Sequence, residues 1–170
     1  MAKESVGLSG MMFPNPVVLV SCGQGEEANI ITVSWAGTAC GDPWMVTVAV
    51  RSATHSHGLL MKYREFVANV PTVKIMKAVE LCGSRSGRGC NKWQESGLHA
   101  DESVAIRTPG IAECPVSMEC RVRHILDLGL HTLFVGEVVG TRRDREWQMA
   151  PTVPVYVEGR YYAVGPAVLG

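Results

Sequence analysis

Val116-Ser117-Met118-Glu119-Cys120-Arg121-Val122-Arg123 alternates apolar and polar residues without a break. Period two with one polar face is the pattern of a half-buried antiparallel strand. Asp127-Leu128-Gly129 then turns the chain into a second strand, His131 to Thr141. Upstream lie three more strand-like segments. Val17 to Cys22 is an apolar run closed by Gly23-Gln24-Gly25. Asn29 to Ala39 is rich in Ile, Thr, Val and Trp, and Met45 to Arg51 follows the turn signal Gly41-Asp42-Pro43. Near the end, Val155-Tyr156-Val157 and Arg160-Tyr161-Tyr162 flank Glu158-Gly159, the spacing of a tight hairpin. Helices are few. Thr54 is placed to cap Ser56 to Tyr63. Thr72 is placed to cap Lys74 to Cys82, where Ile75, Met76, Val79 and Cys82 share a face and Gly83 stops the helix. Asn91 to Ser96 reads as a short turn of helix ended by Gly97. Many strands with short helices predict a mainly β, antiparallel barrel, closed or partly open, which also removes exposed strand edges.

Length and composition set the bounds. The chain has 170 residues, 46% hydrophobic and 19% charged, which excludes a disordered chain and suits one domain over residues 1–170. No repeat or linker is visible; Pro151-Thr152-Val153-Pro154 reads either as an arm reaching a neighbour or as a surface loop. Lys+Arg and Asp+Glu both total 16, so nucleic-acid binding, which usually needs a basic excess, is not expected. No apolar run approaches the roughly 20 residues that span a bilayer. Leu19-Val20-Ser21-Cys22 looks like the end of a lipoprotein signal, but Glu4 cancels Lys3, and Pro14 and Pro16 interrupt the apolar stretch. Six cysteines, none in a Cys-x-x-Cys pair, favour reduced thiols in a cytoplasmic protein over a disulfide scaffold or a metal cluster.

Several familiar sites are excluded by spacing. Gly83 to Gly89 is glycine-rich, but it matches neither a dinucleotide fingerprint nor a P-loop. No Gly-x-Ser-x-Gly elbow occurs. His55-Ser56-His57 reads as a capped helix start rather than a metal site. Three segments then share a theme. Thr32-Val33-Ser34-Trp35-Ala36-Gly37 ends in small residues that let a flat ligand reach the backbone, although taken alone the segment is better read as a core strand with a buried Trp and a bend at Gly37. Arg51-Ser52-Ala53-Thr54-His55-Ser56 sets a guanidinium and three hydroxyls at a helix N-terminus, a donor set suited to phosphate, although Thr54 or Ser56 also serves as an ordinary cap. Ser84-Arg85-Ser86-Gly87-Arg88 with Lys92 is a second donor-rich loop, or a solvated one. Together they point to a phosphorylated flat cofactor.

The order of these segments resembles the flavin reductase-like, FMN-binding split-barrel proteins, the flavoredoxin branch most of all. The resemblance rests on Pro16 to Ser21, Asn29 to Gly37, Pro43 with Met45-Val46, and Val50-Arg51 with His55-Ser56. It continues through Glu65-Phe66-Val67-Ala68-Asn69-Val70-Pro71, Leu81 to Ser84 with Ser86 to Arg88, Glu113 to Cys120, His131 to Val138 and Gly159 to Tyr162. It implies an antiparallel Greek-key split barrel working as a homodimer, with FMN near the subunit interface. By the same resemblance, Thr32, Val33, Ser34, Trp35, Ala36 and Gly37 contact the flavin ring. Arg51, Thr54, His55 and Ser56, with Ser84, Ser86 and Gly87, hold its phosphate and ribityl chain, while Asn29, Lys92 and His131 approach the flavin. Lys92 and His131 are the candidates to stabilise charge on the reduced ring and so to be catalytic. Cys90 and Asn91 depart from the family pattern. The activity implied is electron transfer from NAD(P)H or a redox protein to an acceptor; the alternative is a non-enzymatic FMN carrier, and a third is a barrel that has exchanged flavin for another ligand. Cys40, after the ring strand, is expected to be a packed residue rather than a reactive thiol.

Overall fold

A computed structural model of the chain describes residues 12–146 and 153–165, together with 4, 5, 7 and 10. In chain order the strands are β1 (Asn15–Pro16), β2 (Val18–Cys22), β3 (Asn29–Val33), β4 (Ala36–Gly41), β5 (Trp44–Arg51), β6 (Glu65–Val70), β7 (Ala100–Asp101), β8 (Gly110–Ile111), β9 (Val116–Asp127), β10 (His131–Arg143), β11 (Pro154–Val157) and β12 (Arg160–Ala163). The helices are α1 (His55–Tyr63), α2 (Met76–Ser84) and α3 (Lys92–Ser96). Seven strands form one antiparallel sheet in the order β3-β2-β6-β9-β10-β5-β4. The β9–β10 hairpin inserts between β6 and β5, which gives the Greek-key split barrel expected from the sequence.

The interior is filled by Val18, Val20, Cys22, Val33, Val48, Val50, Leu59, Leu60, Phe66, Ala68, Cys120 and Phe134. Each large apolar side chain removed from water there contributes about 1.5–3 kcal/mol. Gly136 makes room for one of them, since a Cβ at that position would lie 2.6 Å from the Phe66 ring. A second cluster lies outside the barrel, where α2 covers the other face of β2 and β3 through Val17, Leu19, Ile30, Ala78, Val79 and Cys82. Every residue of β2 is therefore buried, which explains its unbroken apolar run.

β9 runs where the alternation places it, but its polar face is not a solvent face. Ser117 and Glu119 are buried, and only from Arg121 onward do the polar residues reach water. The Ser117 hydroxyl donates to Asn69 Oδ1 (2.8 Å). The Glu119 carboxylate accepts the backbone N–H groups of Val104 and Ala105 and lies 3.5 Å from Arg142 Nε. The segment between β7 and β8 folds over this face, so a carboxylate that would have been solvated becomes a buried, paired one.

Three expectations need correction. Asn29 to Ala39 is not one strand. It breaks at Ser34-Trp35, where the Ala49 N–H donates to the Trp35 carbonyl (2.8 Å) and draws the chain to the opposite sheet edge. Gly83 does not stop α2 but lies within it, where a larger residue would press on Thr32. Thr72 precedes a 3-10 turn, Val73–Ile75, and its side chain makes no capping bond. The other local readings match. Thr54 Oγ1 accepts the His57 N–H at the start of α1. Asn91 caps α3, Gly97 ends it in the left-handed region, and Glu158 and Gly159 both have positive φ in the β11–β12 turn. That hairpin pairs with β1. Residues 151–152 of the proline-rich stretch lie outside the described residues, while Pro154 begins β11.

Candidate functional site

Where β3 ends and β5 meets α1, two cavities of about 240 and 290 Å³ adjoin. They share Ile31, Arg51, Thr54 and Gly83, so they form one elongated depression. One end is lined by Thr32, Val33, Ser34, Trp35 and His131. The other is lined by Asn29, His55, Ser56, Ser84, Ser86, Gly87 and Lys92. The sequence scatters these residues over a hundred positions; the sheet register collects them. His131 opens β10 directly opposite Arg51 at the end of β5, and its ring lies 4.6 Å from that of Trp35.

Ala36 and Gly37 are the predicted residues that do not line the depression. They pair with Val48 and Thr47 in the β4–β5 ladder, beyond the bend at Trp35. Ile31, Ala49, Val50, Ala53, Cys82, Gly83 and Arg85 line it without having been predicted. Strand alternation carried a signal for Ile31, two residues before Val33, and Arg85 lay inside the quoted donor loop. Cys40 lies near the far end of β4, half-exposed with Sγ 3.4 Å from the Asp42 carbonyl, so it is neither core-packed nor at the depression.

The hydrogen bonds divide the predicted donors into free and committed groups. Thr54 Oγ1 donates to the Arg51 carbonyl (2.8 Å) and accepts from His57 N, which uses its hydroxyl as the helix cap. Ser84 Oγ donates to the Glu80 carbonyl (2.8 Å). Buried Ser56 Oγ accepts from Asn29 Nδ2 (2.9 Å). Lys92 is 3% exposed, and its ammonium donates to the carbonyls of Ile30 in β3 and Cys82 in α2, both at 2.8 Å. It ties the strand wall to the helix wall. Its burial lowers its pKa from the ordinary 10.5. Burial pushes the neighbouring thiols up, Cys82 to about 11 and Cys22 to about 12.

What remains free is donor chemistry. The Arg51 guanidinium has no hydrogen-bond or ion-pair partner among the described residues. Ser86 Oγ accepts from Arg88 N, which leaves its own O–H available. The first backbone N–H groups of α1 lie beside both. Arg88 Nη1 donates to the Ala53 carbonyl (2.9 Å), clamping one donor loop to the other. Gly87 sits so close to Asn29 and His55 that no side chain fits there. An unpaired guanidinium, a hydroxyl and a helix N-terminus at one end, with an exposed indole and strand backbone at the other, fit an anionic tail joined to a flat ring system.

Residues 9–165 match the family model described as the flavin reductase-like domain. An uncharacterized protein of Pyrococcus abyssi is 35% identical over 129 residues, covering 76% of this chain and 74% of that protein. The NADH-dependent FMN reductase AsuE2 of Streptomyces nodosus subsp. asukaensis is 28% identical over 130 residues, covering 75% of this chain and 68% of the relative. Among solved structures, flavoredoxin of Desulfovibrio vulgaris superposes with a TM-score of 0.89 at 24% identity, over 99% of this chain and 97% of its own. That last likeness is one of fold.

Proposed function

This chain belongs to the flavin reductase-like domain family, and from that premise we propose that it is an FMN-binding oxidoreductase that transfers electrons between a reduced donor, NAD(P)H or a redox protein, and an acceptor. The observation that carries the reading is the polarity of the depression, with unpaired donors at one end and an aromatic, backbone-lined surface at the other. The residues present fit FMN. Arg51, the start of α1, Ser86 and the close-packed Gly87 loop would hold its phosphate, and Thr32 to Trp35 with His131 would face its ring. Bound there, the flavin would supply the hydride and electron chemistry. The protein's part is positional. Trp35 and His131 bound the ring end, Thr54 and Arg88 hold the donor loops in place, and the Lys92 ammonium in the lining is committed to the Ile30 and Cys82 carbonyls. A nicotinamide donor needs no separate motif in such a site, since it can stack on an exposed flavin face.

The visible spectrum of the purified protein, taken after FMN is added and the sample desalted, tests this reading. Retained flavin bands support a bound cofactor. A colourless sample that also fails to quench FMN fluorescence on titration would refute it. Our second reading is a non-enzymatic carrier serving a protein partner. It is favoured by the β9–β10 hairpin tip, where Leu128 and Leu130 are exposed and the Ser52 N–H donates to the Leu130 carbonyl at the rim of the depression. NADH oxidation with free acceptors separates the two. We further propose a homodimer formed through the apolar groove of Trp44, Val46, Met118 and Val138, where Trp44 is 63% exposed. Light scattering tests that state. The six free thiols support a cytoplasmic location.

A further inference from the structure

A third cavity, of about 350 Å³, abuts the same walls from outside: Thr32, Ser34, Gly83 and Ser84 line both it and the cofactor depression. Its remaining wall comes from the C-terminal hairpin and α2, through Tyr156, Tyr161 and Glu80. The two tyrosine rings lie 5.3 Å apart at 59°, and Tyr161 is 39% exposed. This cavity has the opposite polarity to its neighbour. Glu80 is its one charged residue, and that carboxylate has no hydrogen-bond or ion-pair partner among the described residues. Thr32 and Ser84, two of the five hydroxyls in its lining, have already given their protons away, to the Val79 carbonyl (2.5 Å) and the Glu80 carbonyl (2.8 Å). They therefore present lone pairs. The exposed Glu80 carboxylate disfavours a phosphate or carboxylate here, whereas a flat N–H donor meets aromatic faces and acceptors together.

We propose that this cavity binds a planar aromatic molecule, neutral or cationic and bearing N–H donors, as the second reactant beside the flavin. The proposal rests on the cofactor reading above for its role, and on Glu80, Tyr156 and Tyr161 for its selectivity. A ligand seated between the hairpin and α2 would share Thr32 and Ser34 as lining with the ring end of the depression. The hairpin holding both tyrosines is fixed through β1.

The test uses the full chain saturated with FMN, and the probes benzamidine and benzoate, which share an outline and differ in charge. Calorimetry should show benzamidine binding saturably and benzoate at least about tenfold more weakly. Glu80→Gln should weaken benzamidine about tenfold, and Tyr161→Leu should weaken it as well, while FMN affinity stays unchanged in both. Benzamidine should also shift the visible band of bound FMN. Equal binding of the two probes, or benzamidine binding indifferent to both substitutions, overturns the proposal. A saturable benzamidine site with no shift of the flavin band overturns its role as neighbour to the cofactor. If FMN does not bind at all while benzamidine selectivity persists, the cofactor reading falls and the donor-selective cavity stands.

Discussion

Replacing Lys92 with methionine keeps the length of the stem and removes the ammonium. Two carbonyls, of Ile30 and Cys82, then lose their donor. A buried polar group left unpaired costs about 1–3 kcal/mol. The gross loss is therefore about 2–6 kcal/mol. Part is recovered because the buried cation no longer has to be desolvated, the same effect that lowers its pKa. A net destabilisation of about 2–4 kcal/mol corresponds, for a chain of this size, to a fall in Tm on the order of 10 °C. The substitution also has a signature in pH. The folded chain holds this proton less tightly than the unfolded chain, so wild-type stability rises with pH between the lowered pKa and 10.5. In Lys92→Met that rise disappears. Because β3 and α2 are no longer tied, FMN should also be retained less well. Calorimetric melts across the alkaline range, with FMN titrations alongside, measure all three effects. A variant with wild-type Tm, the same alkaline slope and the same FMN affinity would refute the claim that the ammonium holds the two walls together.

Arg51→Ala should weaken FMN about 10- to 100-fold, the value of a charge-assisted bond. Riboflavin, which lacks the phosphate, should bind variant and wild type alike; equal losses for both ligands would move Arg51 away from the phosphate. Asn69 donates to the Leu19 and Val67 carbonyls and the Ser21 hydroxyl, and accepts from Ile111 N and Ser117 Oγ. Asn69→Leu should therefore cost about 3–5 kcal/mol in urea unfolding, and a change below about 1 kcal/mol would contradict that network. Iodoacetamide should label half-exposed Cys40 and Cys90 in the native protein. Cys22, Cys82, Cys114 and Cys120, whose thiols burial pushes up, should react only in urea, as mass spectrometry would show.

The sequence carried β9 and β10, the starts of α1 and α3 and the terminal hairpin because each is decided by neighbours a few residues apart. Alternation, a capping hydroxyl and two turn residues are local signals. β6 was quoted only as part of a family motif, since Glu65-Phe66-Val67-Ala68-Asn69-Val70 has no clear period. It sits at the centre of the sheet, between β2 and β9, where both faces are covered. The polar run on β9 misled for a related reason. Whether Glu119 meets water depends on a segment that folds over it from outside the strand. At the site, fourteen of the sixteen residues named from the family resemblance line one depression. What composition could not reveal was which hydroxyls and amines are free. Thr54, Ser84 and Lys92 read as donors to a ligand, yet Thr54 and Ser84 are spent on carbonyls three and four residues back, and Lys92 on the distant Ile30 carbonyl that tertiary structure brings to it.

The pairing of His131 with Arg51 has a consequence for how the protein is made. Roughly 80 residues separate them in the chain, which at about 5–20 residues per second is several seconds of translation. Until β10 emerges, β5 has only β4 beside it, and the β2–β3 hairpin has no route to the far half of the sheet. The two ends of the depression therefore come together late, after most of the polypeptide has left the ribosome. Any small molecule that occupies it is loaded onto a finished protein, and its supply sets occupancy rather than folding yield.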